Sequence, residues 1–338
     1  MYQNFICPFE FLQVLQANIT WKQCAELPAN LYGGTSTVIN GKVYCSGGTA
    51  ITEDDKYFVY CYDLSLDQWT TLPLPPVKWF SLGQVNGKLI TVGGQEIAIG
   101  KGAKKERNSE GCMYKYDERQ QKWKRTIPAL PTARNSPRVL SLQSAVIVAG
   151  GYTPSTCCSG VVEIFKPETS QWYTADPLPA DCTAISIVAI DETCYVLGAL
   201  ECPSYLNQAY YASVDDLLLN ASPVNQTRHL SDSDDAQAQS TWKALPNTPT
   251  YRPAAAVLAG NLLAIGGKET SDWGSTDKKE VYIYSPSSNS WIYISDLPAP
   301  RSRAMVAVLS STEILMIGGR SNGSKVNTVY KGTLHLKV

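Results

Sequence analysis

The hexapeptide VIVAGG, at Val146–Gly151, is a short apolar segment that ends in two glycines. A short, β-branched apolar run next to a chain breaker is typical of a buried strand. The glycine pair predicts a turn with positive φ, or a neighbouring segment packed too close for a Cβ atom. The pattern recurs as VYCSGG (Val43–Gly48), LITVGG (Leu89–Gly94), CYVLGA (Cys194–Ala199), LLAIGG (Leu262–Gly267) and ILMIGG (Ile314–Gly319).

These six segments mark a repeat of long period. Their first glycines are separated by 46, 57, 48, 68 and 52 residues, and a tryptophan lies 24 to 27 residues before each glycine pair. Such spacing indicates one supersecondary unit repeated with loop insertions. In four units an aromatic residue stands seven residues before the tryptophan: Tyr62/Trp69, Tyr116/Trp123, Phe165/Trp172 and Tyr284/Trp291. In the fourth unit Tyr211 precedes Trp242 across a long polar insertion.

The two ends of the chain complement each other. Trp21 has no aromatic partner before it, and Tyr330 has no tryptophan after it. We therefore expect a ring in which an N-terminal strand, Trp21 to Ala25, pairs with the last strand and places Trp21 beside Tyr330. Such pairing leaves no open sheet edge.

The glycine pair, tyrosine and tryptophan at this spacing resemble the kelch repeat, in which four antiparallel strands form one blade of a β-propeller. The resemblance covers residues 20–338 and implies an all-β, six-bladed propeller closed by the N-terminal strand, which joins the last blade. Residues 1–19 are expected to be an extension, either packed beneath the propeller or the tail of an upstream domain. The fourth unit departs from the pattern at Gly198-Ala199, and its insertion includes a predicted helical turn, Asp215–Ala221.

Composition limits the classes of partner. The formal net charge of −1 argues against a surface that neutralises nucleic-acid phosphates. No stretch approaches the roughly 18 to 20 apolar residues of a membrane span. Ten cysteines without a C-x-x-C motif favour reduced thiols and a cytoplasmic protein, with a disulfide framework as the alternative. We expect a monomeric propeller.

Few residues in the sequence suggest catalysis. His229 and His335 are the only histidines, too few for a metal site built on imidazole. Hydrolase and P-loop motifs are absent from the sequence. We therefore predict no catalytic activity, no cofactor and no metal. The alternative is a carbohydrate-binding or sugar-processing propeller, which requires a carboxylate, a tyrosine and two or more arginines converging in the central pocket.

One rim of the ring is the predicted binding surface. In a four-stranded blade, the connectors between blades and the loops between second and third strands open on the same face. The candidate residues there are Tyr32, Lys78, Trp79, Phe80, Arg134, Tyr152, Tyr251, Arg252, Trp273, Arg301, Arg303 and Arg320. Arginine with aromatic residues is typical of interaction hot spots. The alternative is that the arginines and tyrosines that precede an inner strand pack between blades.

The resemblance implies what this rim binds. Kelch adaptors similar to this chain bind partner peptides at this face, and the rim arginines favour an acidic or phosphate-bearing peptide. Substrate recognition for a ubiquitin ligase is implied by the family alone. The sequence shows no helical segment of the BTB type. A protein-interaction module is therefore the predicted function.

Overall fold

The computed structural model describes residues 16–47, 58–97, 111–126, 128–153, 158–183, 185–201, 204–224, 240–272 and 274–337. These residues form six sheets, each built on four antiparallel strands, in a propeller arrangement. The predicted all-β, six-bladed fold is confirmed. The first strands of neighbouring blades contact one another around a central channel.

The blades follow one another along the chain, and within each blade the strands are ordered from the channel outward. Blade 1 contains Thr35–Ile39, Lys42–Ser46, Val59–Asp63 and Gln68–Leu72. Blade 2 contains Ser81–Val85, Lys88–Val92, Met113–Asp117 and Lys122–Arg125. Blade 3 contains Arg138–Ser141, Val146–Ala149, Val162–Lys166 and Gln171–Ala175.

The second half repeats this order. Blade 4 contains Ser186–Ile190, Thr193–Glu201, Ser204–Ser213 and Lys243–Leu245. Blade 5 contains Ala254–Leu258, Asn261–Lys268, Asp277–Ser285 and Ser290–Asp296. Blade 6 contains Met305–Val308, Glu313–Ile317, Val329–Lys337 and Gln16–Cys24. Two-residue strands pair Val77–Lys78 with Gln95–Glu96 and Arg320–Ser321 with Ser324–Lys325.

The first part of the blade 4 insertion forms a helix and a short strand. The predicted helical turn is a short α-helix, Val214–Leu219, capped by the Ser213 side chain. The strand Ser222–Pro223 then adds to the outer edge of blade 3. The chain of one blade thus covers an open sheet edge of the preceding blade, where unpaired backbone groups favour association with other chains.

The N-terminal strand closes the ring as predicted, but its bounds and register differ from the expectation. It begins at Gln16 rather than Trp21, and it places Trp21 opposite Gly332 while Tyr330 lies opposite Gln23. Trp21 and Tyr330 therefore lie on neighbouring strands, as expected, with an offset of two residues between them. Because Gly332 has no side chain, the Trp21 ring lies directly against its backbone.

The tryptophans join each blade to the preceding one. The indole N–H groups of five tryptophans donate to backbone carbonyls that follow the outer strand of the preceding blade: Trp69 to Ala25 (2.8 Å), Trp123 to Pro73 (2.7 Å), Trp172 to Pro128 (3.4 Å), Trp242 to Asp176 (3.1 Å) and Trp291 to Pro246 (3.0 Å). Blade 4 departs from the expected aromatic pair. There, Tyr211 lies opposite Lys243 and stacks on Tyr195, 6.1 Å between ring centroids.

A positive φ and a close neighbouring segment, the two predicted reasons for the glycine pairs, are both present at Gly319. Gly319 has φ +99°, and a Cβ atom there would lie 2.8 Å from the Ser302 carbonyl oxygen. Its N–H donates to the Leu31 carbonyl of blade 1 (2.7 Å). The expectation that every strand ends at the pair is wrong in two blades. In blades 4 and 5 the strand continues past it through a bulge, to Glu201 and Lys268.

Candidate functional site

The connectors between blades lie on the upper face of the propeller and share one backbone geometry. The residue two positions before each first strand is left-handed wherever it is described: Gly33 (φ 66°), Trp79 (56°), Ser136 (48°), Arg252 (52°) and Arg303 (53°). A left-handed conformation costs a residue with a large side chain about 1–3 kcal/mol. Strain of this kind, held by the surrounding fold, often marks functional positions.

A second repeated contact holds this geometry. The residue three positions before the first strand forms a β-bridge with the residue that follows the glycine pair of the same blade. The pairs are Lys78 with Gln95, Asn135 with Tyr152, Tyr251 with Lys268, and Ser302 with Arg320. Each connector is thereby fixed to the loop between the second and third strands, so the two segments form one rigid unit.

In every blade but the first, the residue four positions before the first strand is buried, and this corrects two predicted rim residues. Arg134 is 0% exposed and forms an ion pair with Glu163 (Nη1 to Oε2, 2.7 Å). Arg301 is 3% exposed, lies 5.3 Å from the centre of the Tyr330 ring, and donates to the Pro300 carbonyl (2.9 Å). Both arginines stabilise the scaffold, as the alternative interpretation expected, and neither offers surface to a partner.

Other predicted rim residues also fall into separate groups. Phe80 is buried in the core cluster of blades 1 and 2, so its place on the rim is wrong as well. Tyr251 is half-buried in its bridge, and Arg252 is largely buried. Trp79 is half-buried beneath the Lys78 ammonium, which lies 4.4 Å from the ring centre. Trp273 lies outside the described residues.

Three cations surround one tyrosine ring on the upper face. The Tyr32 ring centre lies 5.9 Å from the Arg303 guanidinium, 5.8 Å from that of Arg320 and 5.1 Å from the Lys325 ammonium. Tyr32 is itself buried, whereas Arg303 and Arg320 are half-buried and Lys325 is exposed. We call these four residues the Tyr32 patch. Sequence reasoning missed Lys325, although it ends the short loop that begins at Arg320.

A buried ion pair supports the Tyr32 patch from below. The Lys268 ammonium lies 2.7 Å from Asp277 Oδ1, which also accepts from the Ser302 hydroxyl (2.6 Å). The other oxygen accepts from the Gly323 N–H (3.0 Å), in the turn that joins Arg320 to Lys325. Burial acts to raise the pKa of Asp277, but these hydrogen bonds outweigh it and lower the pKa. Sequence reasoning did not find this cluster, because its members are distant in the chain.

Positive charge also converges on Tyr152 at the mouth of the central channel. Burial raises the pKa of Tyr152, while Arg252, Arg303 and Arg138 act to lower it. Of these residues, Arg138 lines the cavity of the central channel, where the sugar-processing alternative requires a tyrosine and arginines to converge. Among the described residues, no carboxylate is found among the groups that shift the Tyr152 pKa.

Neither a cluster of metal ligands nor a membrane-spanning helix is present among the described residues. Within the described ranges, no group of three or more histidine, cysteine, aspartate or glutamate side chains is arranged to hold a metal ion. Among the same residues, no helix has the length and apolar character needed to cross a membrane.

Known proteins share this fold and its repeats. The Kelch motif model matches residues 133–179 and 249–298, which contain most of blades 3 and 5. Kelch-like protein 40 of Mus musculus is 24% identical over 285 residues, covering 79% of this chain and 41% of the relative. Kelch-like protein terF of Aspergillus terreus is 26% identical over 199 residues, covering 55% of this chain and 39% of the relative. A solved structure, that of YjhT, superimposes with a TM-score of 0.67 at 14% identity, covering 93% of this chain and 99% of the other.

The fold is a six-bladed β-propeller that carries the cationic Tyr32 patch on its upper face. Two of its blades match the Kelch motif, and the chain as a whole resembles kelch-like proteins at low identity. The chain spans about two fifths of the length of the mouse and Aspergillus relatives. The likeness to YjhT supports the fold alone.

Proposed function

We propose that this chain is a non-catalytic interaction module that binds an acidic segment of another protein on its upper face. The observation that carries the proposal is the Tyr32 patch, where Arg303, Arg320 and Lys325 lie within 6 Å of one ring centre. Carboxylates and phosphates form strong, directional hydrogen bonds with arginine. The patch is a local excess of positive charge on a protein with a formal net charge of −1.

The backbone supports this assignment. The β-bridges and the Asp277 hydrogen bonds fix the loops around the Tyr32 patch before any partner arrives. A surface fixed in advance loses less conformational entropy on binding. Arginine and tyrosine are also the residues enriched at interaction hot spots.

The wider role that we propose is substrate recognition, in which the propeller acts as a monomeric adaptor within a larger assembly. Kelch-repeat relatives support this role, one of them bearing the name "Kelch repeat and BTB domain-containing protein 12" of Homo sapiens. We further propose a cytoplasmic location. Burial raises the pKa of the Cys45, Cys61 and Cys194 thiols, which favours the protonated, unreactive form.

Selection from a displayed random peptide library tests the proposal. We expect selected peptides to be rich in Asp, Glu or phosphorylated residues. The triple variant Arg303→Ala, Arg320→Ala, Lys325→Ala should bind these peptides about tenfold or more weakly, because charge-assisted hydrogen bonds are lost. Fluorescence polarisation of labelled peptides measures the change.

A matched variant separates local recognition from overall charge. Lys88, Arg119 and Lys122 are exposed and lie at the lower ends of blade 2, in or beside its turns. Replacing all three by alanine removes the same charge while leaving the upper face intact. Equal loss of affinity in both triple variants, or selected peptides without acidic residues, contradicts the proposal.

A further inference from the structure

The central channel contains an arginine that crosses between blades. Arg138 begins the first strand of blade 3, and its side chain is half-buried. Its Nε donates to the Ile185 carbonyl of blade 4 (2.9 Å), and its Nη1 donates to the Gly34 carbonyl of blade 1 (2.8 Å). A guanidinium has five N–H donors, so these two bonds leave others available for a ligand.

Arg138 differs from the buried cations Arg134 and Lys268, each of which forms an ion pair with a carboxylate. Arg134 has Glu163 beside it, and Lys268 has Asp277. For Arg138, Tyr152 is the titratable group that acts on its charge among the described residues, and loss of solvent lowers its pKa to about 10. At neutral pH the guanidinium is therefore still protonated, and among the described residues no carboxylate lines the cavity beside it. A charge that is partly removed from water is stabilised by a nearby opposite charge.

The space next to Arg138 can hold a small ion. The channel contains a cavity of about 100 Å³ lined by Arg138, Thr35, Ser36 and Ser186 together with apolar side chains. This volume corresponds to about three water molecules. It is large enough for an ion of the size of chloride or acetate.

We propose that the central channel binds a small monovalent anion, such as chloride or acetate, against the guanidinium of Arg138. This site lies on the channel axis, apart from the Tyr32 patch, and it does not depend on the proposed interaction function. The anion has two possible sources, namely a free ion from solution or the side-chain carboxylate of a bound peptide. Both present the same acceptor chemistry to the guanidinium.

Thermal unfolding in different sodium salts tests the site. Gluconate is monovalent and much larger than chloride or acetate, so it controls for ionic strength. A ligand that binds the folded state raises the unfolding midpoint, and between about 10 mM and about 500 mM acetate or chloride we expect a rise of about 3 °C over gluconate. The variant Arg138→Met should lose this difference between salts, whereas the exposed control Arg119→Met should keep it. Equal midpoints in all three salts, or a difference that survives in Arg138→Met, overturns the proposal.

A second measurement needs no variant, because replacing Arg138 also removes its hydrogen bonds to two other blades. Crystals of the intact protein soaked in bromide should show an anomalous peak within about 3.5 Å of the Arg138 guanidinium, the range of a hydrogen-bonded contact. The absence of such a peak at full soak concentration overturns the proposal, whether or not Arg138→Met folds. N-acetyl-glutamate N-methylamide, compared with its glutamine counterpart, identifies the source. A stabilising effect specific to the glutamate probe shows that the site admits a peptide carboxylate, and an effect of acetate and chloride alone assigns it to free ions.

Discussion

Arg301 and Arg303 belong to the same connector, two residues apart, and the fold uses them differently. Arg301 is 3% exposed and lies against the Tyr330 ring inside the propeller. Arg303 has a φ of 53°, is half-buried, and lies over the Tyr32 ring on the upper face. An arginine therefore stabilises the scaffold at the first position, and an arginine forms part of a candidate binding surface at the second. Position in the connector decides the role.

Other blades show the same alternation. Val77, Arg134 and Thr250 are buried, whereas Trp79, Ser136 and Arg252 two residues later are left-handed. The buried position accepts an aliphatic residue, an arginine or a threonine. The left-handed position brings strain that glycine avoids, as Gly33 does in blade 1. Bulky residues at this position therefore call for a functional explanation, and binding supplies one.

The largest predicted effect tests the buried position. Replacing Arg134 with Met leaves the Glu163 carboxylate, which is 1% exposed, without its ion-pair partner. Loss of one member of a buried pair costs about 3–5 kcal/mol of the free energy of unfolding. Urea denaturation followed by tryptophan fluorescence measures the loss.

A double variant provides the control. Replacing Glu163 with Leu as well removes the uncompensated charge, and apolar replacements of buried ion pairs are often nearly neutral. We expect Arg134→Met, Glu163→Leu to recover most of the lost stability. A single variant as stable as the unmodified protein would show that Arg134 is not part of the scaffold.

The blades could be predicted from the sequence, whereas the roles of the individual arginines could not. The glycine pairs and tryptophans predicted the blades, because both report backbone packing that recurs at fixed spacing. The burial of Arg134 and Arg301 could not be predicted from their residue type, since it depends on Glu163 and Tyr330 across the blade. The register of the closing strand depended on Gly332, whose missing side chain makes room for Trp21. Neither contact has a local signature in the chain.

A smaller effect is expected at Asp277, which binds the residue between the two positions. Ser302 lies between Arg301 and Arg303, and its hydroxyl donates to buried Asp277. Replacing Asp277 with Asn weakens charged hydrogen bonds, which we expect to cost about 2 kcal/mol at neutral pH. Because the folded pKa of Asp277 is lowered, its stabilisation is complete above the ordinary aspartate pKa of about 3.9 and is lost as the pH falls through the folded value.

Denaturant unfolding of both proteins across this pH range measures the change. The difference in stability between the unmodified protein and Asp277→Asn should narrow below about pH 4, where Asp277 becomes protonated in the unfolded chain. A difference that stays constant down to acid pH would mean that the charge of the Asp277 carboxylate does not stabilise the folded protein.

The smallest effect is expected at the left-handed position. Arg303→Ala and Arg303→Gly both remove the guanidinium, but only glycine adopts a φ of 53° without strain. We therefore expect the glycine variant to be more stable than the alanine variant by about 1 kcal/mol. Both variants should lose affinity for acidic peptides to the same extent, because both lack the charge over Tyr32. Unfolding and peptide-binding measurements on these two variants separate backbone strain from recognition. Equal stability of the two variants would show that the left-handed conformation of residue 303 is not strained.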